Sequence, residues 1–379
     1  MKTKGEIPEN GYEHERIVMP KTNGIIDVNI GDYIYYATPR QLRQKYPRSE
    51  KAQQTVLATR QAIKDIMDRK DNRKIMLAGG CSVHLIPEEK SQYKVIAKLN
   101  DDPLLSKYFL FLTRSCMEKP RTGPDSWQGK GIDPDFQFKQ HERNLGKGRE
   151  ISRELFLYAN ELGLPIATEY LDRETPQYTG GLVSLAWIGA RSMRDNEMQK
   201  MGSILSMPTF YKNTLNGSLD LAISGILAAR EKQIVRGIDE DGVACDVRGR
   251  GNKYCGLILR GSDSRPNYYE EDVQKAMRKM EKAGLVPQII VDCSHGNSKK
   301  NHEKQQNVFY NVSDQMKTNP AIIGAMLEVY GVGGQQETIP LKPEGGLDIE
   351  KLEERKSLTD PCMSLDMFMG LIENAASKF

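Results

Sequence analysis

The sequence of 379 residues is long enough for one large α/β barrel or two medium-sized domains. Its 54 Lys and Arg residues against 51 Asp and Glu give a formal net charge of +3, which argues against a surface that binds nucleic acid. No apolar stretch approaches the roughly 20 residues of a membrane helix, and the first residues lack the apolar core of a secretory signal. We therefore expect a cytoplasmic protein without nucleic-acid or membrane partners.

The predicted elements begin with an N-terminal extension. Residues 1–45 are polar and irregular apart from the apolar stretch GIIDVNI at 24–30. The following stretch SEKAQQTVLATRQAIKDIMDRK repeats apolar residues at helical spacing, so it predicts a helix with Ser49 as its N-cap. We assign residues 1–70 to an extension with a candidate subunit contact, and residues 71–379 to a single catalytic domain.

From residue 74 onward, short apolar runs alternate with helical stretches such as EISRELFLYANELGL and EEDVQKAMRKMEKAGL. This alternation predicts a (β/α)₈ barrel, with a doubly wound open sheet as the alternative. A further pair, VACDVRG and YCGLILRG, predicts an inserted β-hairpin. The eight runs predicted to be barrel strands are KIMLAGG, YFLFLTRS, LPIATEYL, LAWIGAR, GSILSMPTF, KQIVRGI, PQIIVDCS and AIIGAMLEVY.

Polar residues follow several of these runs, at the end of each strand where the catalytic residues of a barrel lie. A cationic set favours a substrate with more than one phosphate or carboxylate, because guanidinium groups match the oxygens of these anions. A second set combines a thiol, an imidazole and two carboxylates, which suits Mn²⁺, Fe²⁺, Co²⁺ or Zn²⁺. For any single residue of this kind, a solvated or loop-bracing role is the commoner alternative. The cationic set is Arg114, Lys119, Arg121, Arg191, Lys212 and Arg260, and the metal-like set is Cys81, His295, Glu328 and Asp360.

The segment VDCSHGNS at 291–298 places Cys293 and His295 two residues apart after a predicted strand. Alternate residues of a strand face the same side, so both side chains can point into a barrel. The spacing alone leaves three interpretations open: a metal-ligand pair, a nucleophile with its base, or two core residues.

Seven segments occur in the order in which the type I 3-deoxy-D-arabino-heptulosonate-7-phosphate (DAHP) synthases have them: AGGCSVH, EKPRTG, IGARS, FYKN, LILRGS, VDCSHGNS and SLTD. The chain resembles this family from about residue 35 to its end, and it is most similar to the microbial subgroup regulated by aromatic amino acids. The resemblance implies a condensation of phosphoenolpyruvate with erythrose 4-phosphate that releases phosphate, the first step of the shikimate pathway. It also implies one divalent metal ion and a homodimer or homotetramer.

The resemblance assigns a role to each candidate. It implies that Lys119, His295 and Arg114 are catalytic, and we expect Lys119 to donate a proton with a pKa lowered by neighbouring arginines. Because it places the metal thiolate at Cys81, Cys293 is expected to be a packing residue. The implied metal ligands are Cys81, His295, Glu328 and Asp360. The implied phosphoenolpyruvate contacts are Arg114, Lys119, Arg191, Lys212, Arg260 and the backbone N–H of Ala190, with Glu169 beside them. The implied aldose-phosphate contacts are Arg121 and Thr122.

The chain departs from the family pattern at several of these segments. Gly80 stands where the family usually has proline, and the segment GPDSWQGKG after Thr122 is longer than its counterpart. The longer segment lies on the aldose-phosphate side, so a paralogue that uses a different aldose phosphate is one alternative. A catalytically silent regulatory barrel is another, although the complete set of cations argues against it.

Overall fold

In the computed structural model, which describes residues 16–18, 24–123, 126–343 and 345–379, eight parallel strands close into a barrel. The barrel strands are the third to the seventh and the tenth to the twelfth of the chain. Closure follows because the twelfth strand pairs with both the third and the eleventh, so the predicted (β/α)₈ barrel is confirmed. The strands are β1 (Arg16–Val18), β2 (Asp32–Ile34), β3 (Lys74–Gly79), β4 (Phe109–Arg114), β5 (Ile166–Tyr170), β6 (Val183–Ile188), β7 (Thr209–Lys212), β8 (Ile234–Ile238), β9 (Ala244–Arg248), β10 (Cys255–Leu259), β11 (Ile289–Asp292), β12 (Ile322–Tyr330) and β13 (Met363–Ser364).

Helices cover the outside of the barrel. The second helix of the chain begins after Ser49, whose Oγ accepts a hydrogen bond from the backbone N–H of Ala52 at 3.1 Å, as the predicted N-cap requires. The two amphipathic stretches predicted between strands form the fifth and ninth helices. The helices are α1 (Pro39–Lys45), α2 (Glu50–Met67), α3 (Ile86–Asp101), α4 (Leu105–Tyr108), α5 (Leu145–Glu161), α6 (Thr175–Thr179), α7 (Asn196–Met201), α8 (Asp220–Arg230), α9 (Glu270–Lys282), α10 (Lys304–Thr318) and α11 (Leu365–Ala376).

The inserted hairpin is present, but it uses different strands from those predicted. β8 pairs antiparallel with β9, whereas β10 lies in the barrel between β7 and β11. The assignment of KQIVRGI to the barrel and of YCGLILRG to the hairpin is therefore wrong. The physical reason is that a parallel barrel strand is covered on both faces. All five residues of β10 are buried, whereas β8 exposes Ile234 and the charged side chain of Arg236.

The barrel has two apolar layers because alternate residues of each strand point inward and outward. Ile75 and Leu77 of β3 belong to the inner cluster, and Met76 belongs to the outer cluster, which packs between strands and helices. Ile63 and Ile66 of α2 also belong to the inner cluster, so this helix closes the end of the barrel at which the strands begin. The opposite end, at the carboxyl termini of the strands, stays open for polar groups.

Part of the predicted extension lies outside the described residues, namely 1–15 and 19–23. The described part contains the β1–β2 pair and α1, whose Arg40 forms salt bridges with Glu240 and Asp241 in the turn of the β8–β9 hairpin. Pro124 and Asp125 of the segment GPDSWQGKG also lie outside the described residues. In the described part of the chain, no helix combines the length and the apolar character that crossing a membrane requires.

Candidate active site

A cavity of about 140 Å³ opens at the carboxyl ends of the barrel strands. Side chains from seven different strand ends and their loops reach it, which is the usual construction of a barrel's active site. The structure therefore brings together residues that are up to 241 positions apart in the sequence, from Lys119 to Asp360. The predicted site residues that line this cavity are Lys119, Arg121, Glu169, Ala190, Arg191, Lys212, Arg260, His295 and Asp360.

Three of the four predicted metal ligands form a compact group beside this cavity. One ligand atom from each of Cys81, Glu328 and Asp360 lies within 4.8 Å of the other two. His295 belongs to the same group, because its Nε2 lies 3.5 Å from Oε1 of Glu328. A thiolate, an imidazole and two carboxylates at these separations suit a borderline divalent ion better than Ca²⁺, which prefers oxygen ligands alone. The donor set therefore fits the expected metal.

Arg114 and Lys119 tie this group to the cavity. Arg114, at the end of β4, is 1% exposed, and its Nη2 lies 2.9 Å from Oε1 of Glu328, while Nη1 donates to the backbone oxygen of Gly80. Nζ of Lys119 donates to the backbone oxygen of Cys81 at 2.8 Å and lies 3.2 Å from its Sγ. Both cations are thus held in place by the loop that carries the thiol, with little freedom to reorganise.

His295 is oriented by Asp292, a residue that the sequence analysis missed. Asp292 is the last residue of β11 and is fully buried; its Oδ2 lies 2.9 Å from Nδ1 of His295 and 2.8 Å from Nζ of Lys212. The charges of His295 and Lys212 outweigh the effect of burial and hold the pKa of Asp292 well below its usual value. In the sequence, Asp292 could have been recognised as an acidic residue that directly follows a short apolar run.

Two neighbouring residues fix the position of the Glu169 carboxylate in the cavity. Its Oε2 accepts a hydrogen bond from Nε1 of Trp187 at 3.3 Å. A Cβ at Gly189 would lie 1.8 Å from Oε1 of Glu169, so only glycine fits there. Trp187 was also missed by the sequence analysis. Its ring lies below the cations, with Cζ of Arg114 at 5.8 Å and Nζ of Lys212 at 5.7 Å from the ring centroid.

The remaining cations stand around the cavity. Arg260 is 5% exposed, and its Nη1 has no hydrogen-bond partner among the described residues; its nearest acid, Asp263, is 3.8 Å away. A buried guanidinium donor without a partner is well placed for an anionic ligand. Nη1 of Arg191 donates to the backbone oxygen of Pro120 at 3.2 Å. Lys300, which the sequence analysis missed, lines the cavity 3.3 Å from Oδ1 of Asp360.

Arg121 and Thr122 differ in their position relative to the cavity. Nη2 of Arg121 lies 3.8 Å from Oδ1 of Asp360 inside the cavity. Thr122 is exposed, and it does not line the cavity within the described residues, so its contact with an aldose phosphate stays a prediction. The loop that carries both residues is anchored by an apolar cluster of Trp127, Phe136, Leu347 and Leu358. This cluster joins the loop to the segment that ends in Asp360.

Electrostatics at the site correct one expectation. Burial lowers the pKa of Lys119, but its Coulombic interactions with the acidic groups of Cys81, Cys116 and Glu328 outweigh it, and the net shift is upward. The expected lowering by arginines is wrong because Arg114 is the only arginine among the main contributors and the acidic neighbours dominate. Burial opposes ionisation of Asp360 too, yet Lys119 and Lys300 bring its pKa down to about 2. Both groups are charged at neutral pH.

The cysteines separate into two environments. Burial, and then the charge of Glu328, raise the pKa of Cys81, which lies against Lys119. Cys293 is fully buried in the outer apolar layer, and its Sγ faces the backbone oxygen of Val291 at 3.8 Å. The interpretation of Cys293 as a packing residue is therefore confirmed. Although it is only two residues from His295, it points away from the cavity.

Comparisons with known proteins agree with this geometry. The sequence model of the DAHP synthetase I family matches residues 47–367. The tyrosine-sensitive phospho-2-dehydro-3-deoxyheptonate aldolase of Escherichia coli (strain K12) is 36% identical over 349 residues, which cover 91% of this chain and 94% of that protein. The tyrosine-inhibited aldolase of Schizosaccharomyces pombe is 32% identical over 336 residues, or 88% of each chain. A solved phospho-2-dehydro-3-deoxyheptonate aldolase from Francisella tularensis SCHU S4 matches with a TM-score of 0.83 at 30% identity, over 90% of this chain and 96% of that one.

Proposed function

The chain belongs to the DAHP synthetase I family and is a 3-deoxy-7-phosphoheptulonate synthase, and from this premise we propose how its own residues carry out the reaction. Phosphoenolpyruvate, erythrose 4-phosphate and water give DAHP and inorganic phosphate. The observation that carries the proposal is the meeting of a thiol, an imidazole and two carboxylates beside one cavity lined by cations. Such a cavity suits two substrates that carry two phosphates and a carboxylate between them.

Phosphoenolpyruvate occupies the inner part of the cavity. Lys119, Lys212 and Arg260 are buried and line it, and Arg260 offers a donor without a partner in the described structure. Arg114 is buried beside Glu328 and adds a further positive charge. The backbone N–H of Ala190 and the side chain of Arg191 add donors for the phosphate. Because Asp292 and the Cys81 loop already fix Lys212 and Lys119, these groups need little reorganisation as charge develops.

Erythrose 4-phosphate occupies the outer part, with its phosphate near Arg121 and Thr122. Its aldehyde carbon then faces C3 of phosphoenolpyruvate. We propose that Cys81, His295, Glu328 and Asp360 hold one divalent ion, with Mn²⁺, Fe²⁺, Co²⁺ and Zn²⁺ as the candidates. When bound, such an ion supplies Lewis acidity that polarises the aldehyde carbonyl.

The bond forms between C3 of phosphoenolpyruvate and the aldehyde carbon. Lys119 is protonated at neutral pH and donates its proton to the oxygen that becomes an alkoxide, which is a far stronger base than the lysine amine. Water adds to the cationic C2 that this step leaves, and Glu169 offers a carboxylate to accept the proton of that water. The phosphohemiketal then releases inorganic phosphate by cleavage of its C–O bond.

The acceptor is tested by phosphate release from phosphoenolpyruvate with a panel of aldose phosphates. We expect the highest kcat/KM with erythrose 4-phosphate; turnover with ribose 5-phosphate or arabinose 5-phosphate but none with erythrose 4-phosphate would instead identify a paralogue of a specialised pathway. Metal content is measured before and after chelation, together with activity. If the chain were a silent regulatory barrel, no acceptor would give turnover, whatever ion is added.

We also propose that the chain forms a homo-oligomer through its N-terminal extension, with a second copy as the partner. Five large apolar side chains between residues 26 and 34 are exposed by 38 to 67%: Ile26, Val28, Ile30, Tyr33 and Ile34. Exposed apolar clusters of this kind mark interaction surfaces. Light scattering after size exclusion should give a dimer or tetramer for the wild type and a smaller species for Ile26→Glu with Val28→Glu. A wild-type monomer would contradict this proposal.

A further inference from the structure

Three of the four segments that carry the proposed metal ligands meet at Tyr330. This residue is the last of β12 and is 1% exposed. It follows Glu328 by two positions, so the two side chains leave the same face of the strand. Its ring forms one apolar cluster with Cys81 and Cys362, and Cys362 follows Asp360 by two positions. Tyr330 therefore belongs to the segment of one ligand and contacts the segments of two others.

The ring of Tyr330 lies against Gly80, the residue directly before the thiol. A Cβ at Gly80 would lie 3.2 Å from Cδ2 of Tyr330 and 3.4 Å from Oε1 of Glu89. Carbon atoms in contact are normally about 3.5–4.0 Å apart, so the ring already occupies the space that a side chain at position 80 requires. The departure of this chain from the family pattern at Gly80 is thus matched by the aromatic ring that packs on it.

The orientation of the ring is fixed from its other end. The hydroxyl of Tyr330 donates to Oε2 of Glu88 at 2.7 Å, and Oε1 of Glu88 accepts from the backbone N–H of Arg355 at 2.8 Å. Burial raises the pKa of Tyr330, so the hydroxyl keeps the proton that it donates. The ring of His84 packs beside it, with the two centroids 4.8 Å apart. Tyr330 is therefore held by α3 and by the loop that leads to Asp360.

Gly80 has few other means of holding a single conformation. Its carbonyl oxygen accepts from Nη1 of Arg114, and the ring of Tyr330 covers its Cα side. Glycine has the widest backbone freedom of any residue, and ordering it costs conformational entropy. Without the ring, Cys81 would follow a residue that can adopt many conformations, and part of the free energy of metal binding would be spent on ordering the loop.

From these contacts we propose that Tyr330 is a positioning residue for the metal thiolate. Its ring, packed on Gly80, keeps the loop of Cys81 where the thiol can share one ion with the carboxylates that follow β12. The inference rests on the metal ligands proposed above. It also accounts for an intact donor set in a chain with glycine at position 80, because the ring restricts the backbone there.

The test is titration of the full chain, freed of metal by chelation, with Co²⁺ in competition with a chromogenic chelator. A thiolate bound to Co²⁺ gives a sulfur-to-metal charge-transfer absorption, so the titration also reports whether the thiol is bound. Tyr330→Ala should weaken Co²⁺ binding by about tenfold or more, as expected for a lost residue that orients a ligand, and should lower the charge-transfer absorption per bound ion. Tyr330→Phe keeps the ring and should bind more tightly than Tyr330→Ala.

The matched control is Phe156→Ala. It removes a similarly buried ring from α5, in the outer apolar layer, and should bind Co²⁺ like the wild type. Equal affinity of Tyr330→Ala and Phe156→Ala would refute the positioning role. Should Tyr330→Ala fail to fold, Tyr330→Leu takes its place with the same expectations.

A double-mutant cycle tests the contact with Gly80 itself. Gly80→Ala should weaken Co²⁺ binding in the wild type, and about threefold less in the Tyr330→Ala background, because the ring that the new methyl group meets is gone. Equal effects in the two backgrounds would overturn the proposal.

Cys81→Ala separates this inference from the proposed function. Wild-type affinity for Co²⁺ in Cys81→Ala would refute the ligand set, and with it the positioning role. Loss of the ion in Cys81→Ala together with wild-type affinity in Tyr330→Ala would refute the positioning role alone.

Discussion

Oδ2 of Asp292 lies 2.9 Å from Nδ1 of His295, so a fully buried carboxylate determines which imidazole nitrogen turns towards the cavity. Nδ1 also faces Oγ of Ser294 at 2.7 Å, and Nε2 lies on the side of Glu328, 3.5 Å from its Oε1. A carboxylate behind a ligating histidine fixes the tautomer and raises the basicity of the ring.

Asp292→Asn should therefore weaken metal binding, by about 10- to 100-fold for a lost partner of this kind. The asparagine keeps the size of the side chain but removes the charge that orients His295. Competition with a chromogenic chelator measures the change. The control is Asp246→Asn on the exposed face of β9, which should bind the ion like the wild type. Equal affinity in the two variants would show that Asp292 has no role in metal binding.

Cys81→Ala should lose metal binding and turnover together, because the thiol is one of the four proposed metal ligands. Cys293→Ala is the matched control: it also removes a buried thiol, yet from the apolar layer outside the cavity. It should keep the metal and most of the activity, at a cost in stability of about 1 kcal/mol. Metal analysis and steady-state kinetics of both variants test this, and loss of the metal from Cys293→Ala would overturn the ligand assignment.

Arg121→Ala and Arg260→Ala should each weaken the binding of a different substrate. Arg121 stands at the outer end of the cavity beside Asp360, whereas Arg260 is buried at the inner end. We expect Arg121→Ala to raise the KM for erythrose 4-phosphate, and Arg260→Ala the KM for phosphoenolpyruvate, each by about 10- to 100-fold for a charged hydrogen bond. If the two substrates respond in the reverse order, the subsites have been exchanged.

Glu118 should make stability depend on pH. Burial, and then the nearby charge of Asp172, raise its pKa to about 8 from the usual value near 4.5. Between these values the folded chain retains a proton that the unfolded chain releases, so stability falls as pH rises and the loss is complete above pH 8. In Glu118→Gln this dependence is absent. The melting temperature of the variant should exceed that of the wild type more at pH 8.5 than at pH 5, and a constant difference would argue against a protonated Glu118.

Gly189→Ala should displace Glu169, since the new methyl group would overlap its carboxylate. We expect a stability loss of about 1–3 kcal/mol together with a lower kcat. Gly370→Ala is the contrasting substitution: it lies in α11 with open space around the new methyl group, and alanine should stabilise the helix by about 0.5–1 kcal/mol. Thermal unfolding and initial rates distinguish the two. A Gly189→Ala enzyme with normal rates would show that the position of Glu169 is not critical.

The sequence alone favoured the barrel over a doubly wound open sheet, because short apolar runs alternate with stretches that repeat apolar residues at helical spacing. Closure itself was decided by the pairing of β12 with both β3 and β11. The error at the hairpin has the same origin. KQIVRGI and YCGLILRG are both short and apolar, and only pairing with distant strands decides which of them is covered on both faces. Local pattern therefore predicted how many strands the barrel has, but not the identity of every one of them.

The residue types of the site were also predictable, because they follow ordered segments of the chain. The pKa shifts and the orientation of these side chains were not predictable from the sequence. The upward shift at Lys119 depends on Cys81, which is 38 positions away in sequence, and the orientation of His295 depends on the side chain of Asp292 within a folded turn. Coulombic interactions and burial act through space over a few ångströms, so they are decided only when the strands close the barrel.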